Sequence, residues 1–135
     1  MLSIFDKNGT NDLAYSIRAV NEKNVQISRN IANADTPFYK AKKLDFYEVM
    51  GEYFSAGSTD KLYTTNGKHI QPVSEPMDPA AFVHFQNNPS TRTDGNDVNR
   101  EYEMTELAAN SIMHQMFTDM VGGKFATIKE IIRTR

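Results

Sequence analysis

Three histidines are the side chains of this sequence best suited to metal binding or acid–base catalysis. His69, His84 and His114 lie in three separate segments, and none has a second ligand at the i, i+4 spacing of a helical zinc motif. The chain has no cysteine, which excludes disulfides and thiolate metal sites. We therefore expect His114 to be packed or hydrogen-bonded, and we predict no metal and no other cofactor.

Carboxylates are the second group that could do chemistry. Glu101, Glu103 and Glu106 cluster at the start of a long helical pattern, where negative charge is favoured by the helix dipole. No Ser, His and Asp are brought together by their spacing. Gly123-Lys124 is not a phosphate loop, because Phe125 stands where Ser or Thr is required. The sequence therefore predicts that the protein is not an enzyme.

The composition limits the remaining classes of function. The 135 residues make one domain or less, and 15 Lys and Arg balance 17 Asp and Glu. There is thus no broad basic field for binding nucleic acid. The longest apolar run has only a few residues, so no membrane span is expected. The first residues lack the basic and apolar regions of a secretory signal, so any export is expected to need no cleaved signal peptide.

Two helical patterns must position these residues. The first covers residues 12 to about 34 and follows three capping candidates, Thr10, Asn11 and Asp12. Its apolar side chains alternate in spacing between four and three, as along a coiled-coil interface. They are Leu13, Ile17, Val20, Ile27 and Ile31. Asn24 lies in the same stripe, where it either faces solvent or specifies the register of the helix pair.

The second helical pattern runs from residue 99 to about 133 without a proline. Its apolar residues spread around most of the helix, so the helix must be buried on several sides. The simplest hypothesis is that other copies or other subunits cover this helix. The alternative is that the middle of the chain covers it. The candidate packing positions are Leu107, Asn110, Met113, Met116, Met120 and Val121. Methionine suits adaptable packing against different neighbours.

The middle of the chain is rich in proline and glycine. Asn66-Gly67 and Asp94-Gly95 are turn signals, and residues 61–65 and 81–85 have the pattern of short strands. We therefore predict a mainly α fold in which two long terminal helices pack as an antiparallel, coiled-coil-like pair around an irregular region with short β elements. The predicted parts are residues 1–47, 48–97 and 98–135, and the two terminal helices form one core unit.

A distinctive segment ends the first helix. Pro37 forces a helix that arrives from the N-terminal side to stop near Asn33 to Asp35. The string Asn-Ile-Ala-Asn-Ala-Asp-Thr-Pro-Phe-Tyr, residues 30–39, resembles the N-terminal signature of bacterial flagellar axial proteins, the rod, hook and hook-junction subunits. That family usually has glycine where this chain has Phe38. The turn therefore cannot rely on glycine's freedom at positive φ.

A second string narrows the resemblance to the proximal rod. Asp94-Gly95-Asn96 and Val98, followed by a helix, is similar to the corresponding part of proximal rod subunits. The helix positions that carry the similarity are Glu103, Leu107, Ala108, Asn110 and Gln115. Asn99 stands where Asp is usual, and His114 stands where Tyr is usual. The two similar regions cover roughly half of the chain.

The resemblance implies a structural subunit that assembles helically in the flagellar basal-body rod and transmits torque. It implies partners among copies of itself, the other rod proteins, the MS ring with its junction protein, and the type III export apparatus, and a location in the periplasmic rod. Besides the helix positions above, the assembly residues it suggests are Asn33, Asp35, Thr36, Pro37, Tyr39 and Phe46. The alternative is a small helical adaptor linked to a type III secretion system.

Overall fold

The computed structural model describes residues 9–57, 77–86 and 92–133. Three helices dominate these ranges: α1, Thr10–Ala32; α2, Phe46–Gly57; and α3, Arg100–Arg133. Two short strands, β1 at Lys42–Lys43 and β2 at His84–Phe85, pair antiparallel. The predicted mainly α fold with two long, mutually packed terminal helices is confirmed. Within the described ranges, no helix is long and apolar enough to cross a membrane.

The sequence predicted the C-terminal end of α1 correctly but not its N-terminal cap. At the C-terminal end, the Asn33 N–H bonds the Arg29 carbonyl oxygen, so the helix stops where Pro37 required. At the N-terminal end, the predicted side-chain cap is wrong. Thr10 already lies within the helix, and the cap is Gly9 in the left-handed conformation, at φ 63° and ψ 25°, with no side-chain cap hydrogen bond.

The long helices α1 and α3 run antiparallel. Asn30 contacts Glu103, whereas Val20, nearer the start of α1, contacts Asn110, farther along α3. With a rise of about 1.5 Å per residue, α3 is roughly 50 Å long and α1 roughly 35 Å. Lys124 lies beside Gly9, at the start of α1. The last turns of α3 therefore extend beyond the described part of α1.

The main apolar core lies between α1 and α2, and the sequence analysis did not predict α2. Tyr15 stacks on Tyr53, with ring centroids 4.2 Å apart. The buried members of the cluster are Tyr15, Ala19, Leu44, Val49 and Met50. The sequence does carry signals for α2. Asp45 accepts a hydrogen bond from the Tyr47 N–H at 2.8 Å, as an N-cap does. Apolar residues then recur at helical spacing at positions 46, 49, 50, 53 and 54.

The β element coincides only in part with the predicted strand at residues 81–85. Residues Pro79–Phe82 form a 3₁₀ helix capped by Asp78, and only His84–Phe85 are extended. Their partner is β1, in the register Lys42 to Phe85 and Lys43 to His84. The strand predicted at residues 61–65, the Asn66-Gly67 turn and His69 lie outside the described residues.

Candidate functional site

The side chains best suited to chemistry are placed apart from one another or bonded to nearby backbone in the described ranges. Within the ranges that the structure describes, no group of three His, Asp or Glu side chains could hold a metal ion. The His84 Nδ1 lies 3.0 Å from the carbonyl oxygen of Phe82, two residues earlier in the chain. His114 is half-buried on α3. Two other features stand out: the hydrogen-bonded turn after α1 and the exposed apolar side chains of α3.

The turn after α1 is held by one buried amide. Asn96 is 0% exposed, and its Nδ2 donates to the carbonyl oxygens of Asn33, Ala34 and Thr36 at 3.0, 3.1 and 2.9 Å. Its Oδ1 accepts from the Val98 N–H at 2.7 Å. One side chain therefore bonds three backbone carbonyls of the turn that follows α1 and also fixes the segment that leads into α3.

Ionic contacts surround the Asn96 side chain, which acts as a clamp on the turn. Arg92 donates to the Ala34 carbonyl oxygen at 3.0 Å and lies 2.9 Å from the Asp94 carboxylate. Arg100, the first residue of α3, bonds Asp35 at 2.6 Å. The Asp97 carboxylate accepts the N–H of Ala41 at 2.7 Å. The two strings that carried the family resemblance, near residues 33–41 and 92–100, are thus one structure, a connection that sequence reasoning missed.

A second buried amide joins the same turn to the helix pair. Asn30 is 1% exposed, and its Nδ2 donates to the Lys42 carbonyl oxygen at 2.7 Å and to Glu103 Oε1 at 3.0 Å. Its Oδ1 accepts from the Lys42 N–H at 3.1 Å and the Tyr39 hydroxyl at 3.3 Å. All the hydrogen-bonding capacity of this amide is therefore used, which fixes α1, β1 and α3 relative to one another.

Glu103 is the buried acid of this network. Burial raises the pKa of its carboxyl group, and the nearby Glu106 raises it further, whereas the hydrogen bond from Asn30 and the charge of Lys23 lower it. Because the folded-state pKa is raised, the folded chain binds more protons than the unfolded chain between the two pKa values. The contribution of Glu103 to stability is therefore fully present below its unfolded pKa and declines as pH rises through the folded one.

Glu103→Gln tests this electrostatic cost. The amide keeps an oxygen that accepts from Asn30 but carries no charge. We expect the variant to unfold at a higher urea concentration than the parent at pH 7, and the difference to vanish on acidification below the usual pKa of Glu. Glu103→Ala, which removes the acceptor, should be less stable than the parent at both pH values. A Gln variant that is less stable at pH 7 would show that the charge stabilises the pair.

The apolar stripe predicted on α1 is only partly buried. Val20 and Ile27 are buried, whereas Leu13, Ile17 and Ile31 are half-buried. Ser16, Lys23 and Asn30 occupy places toward α3 that the pattern gave to Ile17, Asn24 and Ile31, so the face is shifted by one residue. Asn24 is half-buried, and its Oδ1 has no hydrogen-bond partner among the described residues.

The surface of α3 is unusually apolar. On this helix only Glu103 and Asn110 are buried, and Leu107, Met113 and Val121 are half-buried. The large apolar side chains left exposed on α3 are Tyr102, Met104, Ile112, Met116, Met120, Phe125, Ile131 and Ile132. The middle of the chain does not cover them within the described ranges. A helix that exposes apolar side chains on several sides favours burial against partners.

The remaining predicted positions lie in and after the turn. Asn33 and Tyr39 are half-buried, and Asp35, Thr36 and Pro37 are exposed. Phe46 is half-buried, with its ring centroid 5.7 Å from that of Phe117 on α3. The turn backbone is thus fixed from inside by Asn96, whereas Asp35, Thr36 and Pro37 are exposed on its outer side, with Asp35 bonded to Arg100.

Phe38 adopts the backbone conformation that its side chain disfavours. Its φ is 61°, because its N–H must reach the Asp94 carbonyl oxygen at 3.0 Å. The turn therefore takes a positive φ without the glycine that the related proteins usually have there. The Phe38 ring is 79% exposed, so little packing offsets the strain.

Phe38→Gly should stabilise the free chain. The left-handed conformation costs a non-glycine residue about 1–2 kcal/mol, and glycine loses roughly 0.5–1 kcal/mol of this gain through its flexibility when unfolded. We expect a net gain of about 0.5–1 kcal/mol in the free energy of unfolding by urea denaturation. Phe38→Ala keeps the strain and should give no gain. A glycine variant less stable than the parent would contradict the strain argument.

The comparisons with known proteins agree with this geometry. No family model matches the chain. A flagellar basal body rod protein FlgB of Bacillus subtilis is 34% identical over 106 residues, which cover 78% of each chain. The FlgB of Yersinia enterocolitica is 32% identical over 111 residues, covering 79% of this chain and 80% of that one. The FlgB of Escherichia coli is 30% identical over 125 residues, covering 90% and 88%.

These relatives define a class, the structural proteins of the flagellar basal body rod. The chain belongs to the FlgB family.

Proposed function

We propose that the chain is a structural subunit of the proximal flagellar rod that assembles helically with copies of itself and other rod proteins and transmits torque without any enzymatic activity. The observation that carries the proposal is the exposed apolar surface of α3. Ile112 is 73% exposed and Ile132 is 71% exposed on the same helix. Within a family of rod proteins, neighbouring subunits are the natural cover for such a surface.

The energetics favour a permanent interface over a transient one. Full burial of a Leu, Ile, Met or Phe side chain is worth about 1.5–3 kcal/mol, and several such side chains are exposed along α3. Stable interfaces between subunits are more apolar than the rest of a protein surface. The predicted assembly residues that the structure leaves exposed, Asp35 to Pro37 and Met116 and Met120, belong to this proposal.

The finer partners and the location follow from the family. We propose contacts with the MS ring and its junction protein, recognition by the export apparatus, and a place in the periplasmic rod reached without a cleaved signal peptide. The division into terminal parts 1–47 and 98–135 around the middle part 48–97 remains a prediction. The alternative, a small helical adaptor of a secretion system, is not favoured by the relatives, which are rod proteins.

Ile112→Asp separates assembly from folding. Because Ile112 is 73% exposed, we expect the free energy of unfolding of the purified chain to change by no more than about 0.5 kcal/mol. In cells that lack the native gene, the same variant should abolish rod formation and motility, because the charge would be buried at a subunit interface. Ile112→Leu is the matched control and should preserve both. Normal motility of the Asp variant would remove Ile112 from the proposed interface.

A further inference from the structure

The aromatic ring of Phe38 is exposed on the turn after α1. A Cβ placed on Gly95 would lie 2.8 Å from the Phe38 Cδ1, so the ring lies against this glycine. The ring is nevertheless 79% exposed, and Pro37 beside it is exposed as well. The backbone of Phe38, at φ 61°, is one that a bulky residue disfavours. Strained positions of this kind cluster at binding sites, which makes the ring a candidate anchor for a partner.

An apolar groove lies between the three helices at the opposite end of the helix pair. Its volume is about 760 Å³, within the roughly 300–1,000 Å³ range of pockets that enclose a small ligand. Phe54 on α2 and Phe117 and Met120 on α3 line it. Phe54 is 57% exposed and Met120 is 47% exposed, so the described residues leave the groove open. An aromatic ring is a group of the size and polarity that such a groove encloses.

Phe38 lies too far along the chain to fill the groove of its own molecule. Ser16 is the last α1 residue that lines the groove, and the helix from there to its end at Ala32 extends roughly 24 Å. The Phe38 N–H bonds the Asp94 carbonyl oxygen, ahead of the start of α3, which holds the ring at that far end. The ring and the groove can therefore meet only between two chains.

The charges near the ring and near the groove have opposite signs. Where α3 passes the groove and continues beyond it, residues 124–133 carry three basic side chains and one acidic side chain. Around Phe38, residues 33–41 and 92–101 together carry four acidic and three basic side chains, and the Asp35 side chain is 77% exposed. Two chains placed end to end bring the basic end of one α3 beside the acidic turn of the next. This complementarity favours a second copy as the occupant of the groove.

We propose that Phe38 of one chain inserts into the groove between α1, α2 and α3 of a second copy. This contact rests on the proposed function, because it supplies one of the interfaces through which copies assemble. The anchor and the groove lie at opposite ends of the same chain, so each copy that binds offers a new groove to the next. A head-to-tail contact of this kind continues along an array instead of stopping at a symmetric dimer.

Mixing two full-length variants tests the contact. Both carry Ile112→Asp, so that the apolar surface around Ile112 does not contribute to their association. Phe38→Ala removes the anchor and keeps the groove, whereas Phe54→Lys places a charge in the groove and keeps the anchor. Sedimentation velocity over a concentration series should show each variant associating at least roughly tenfold more weakly than the Ile112→Asp chain alone. The equimolar mixture should form dimers and nothing larger, because only one anchor and one groove remain.

The matched control is Tyr47→Ala in the same Ile112→Asp chain. Tyr47 is 80% exposed but does not line the groove, so its removal should leave association unchanged. Weaker association of Phe38→Ala without the same effect of Phe54→Lys would mean that another surface receives the ring. A mixture that forms no dimers, or an Ile112→Asp chain that stays monomeric throughout the series, would also reject the contact. These outcomes are separate from the motility of cells carrying Ile112→Asp, which tests the proposed function itself.

Discussion

Ile27→Asp is expected to cost about 3–5 kcal/mol of the free energy of unfolding, because it places an uncompensated charge in the buried face of α1. Ile27 is 5% exposed. Lys23, one turn earlier, already pairs with Glu106 at 2.8 Å, so its charge is at best shared with the new carboxylate. Small domains have only about 5–15 kcal/mol of net stability. The variant should therefore be largely unable to form the helix pair.

Urea denaturation of the purified chain and motility of cells lacking the native gene measure this effect. Val25→Asp is the matched control, because Val25 is also β-branched and on α1 but is 41% exposed. We expect the control to lose little stability, within about 0.5 kcal/mol. Normal stability and motility of Ile27→Asp would show that Ile27 does not belong to the packed face of α1.

Asn96→Asp should cost at least about 3 kcal/mol, because it places an unpaired charge at a side chain that is 0% exposed. The substitution keeps the shape of the side chain but turns its donor nitrogen into a charged acceptor. That oxygen would face the carbonyls of Asn33, Ala34 and Thr36. The turn after α1 should open, and its amides should exchange with solvent faster.

The control for the Asn96 variant lies three residues further along the chain. Asn99→Asp makes the same chemical change at the N-cap of α3, where the Asn99 Oδ1 accepts from the Tyr102 N–H at 3.1 Å. Asn and Asp are equally good N-caps, and a negative charge suits a helix N-terminus, so its stability should not fall. Equal stability of the two variants would show that Asn96 does not hold the turn.

The sequence predicted those features that depend on the local chain. Pro37 limits how far α1 can extend, since it disfavours helix at the residue before it. The uninterrupted run after Asn99 likewise predicted a long α3, and the structure has it at Arg100–Arg133. The match of strings near residues 30–39 and 94–98 indicated the family. These inferences need only one segment at a time.

Features that depend on contacts between two distant segments could not be predicted from the residue pattern of one segment. An apolar stripe indicates which face of α1 is buried only if the partner helix is apolar there. On α3, however, Glu103 bonds the buried Asn30 and Asn110 bonds the Val20 carbonyl oxygen. The face was therefore misplaced by one residue. Asn96 could not be recognised as the clamp of the turn, because its three acceptors are about sixty residues away in the chain. α2 was different, since Asp45 and the spacing that follows it were visible signals.

The polar character of the buried residues has a thermal consequence. Six buried side chains in the described ranges are polar or charged, and two of them, Asn30 and Glu103, are bonded to each other between the long helices. Exposing apolar surface raises the heat capacity on unfolding, whereas exposing polar surface lowers it. The heat-capacity increment of this chain should thus fall below the usual value of about 12–15 cal/mol/K per residue. Its stability curve should be correspondingly flat, so that the free subunit is about as easy to unfold in the cold as in the warm.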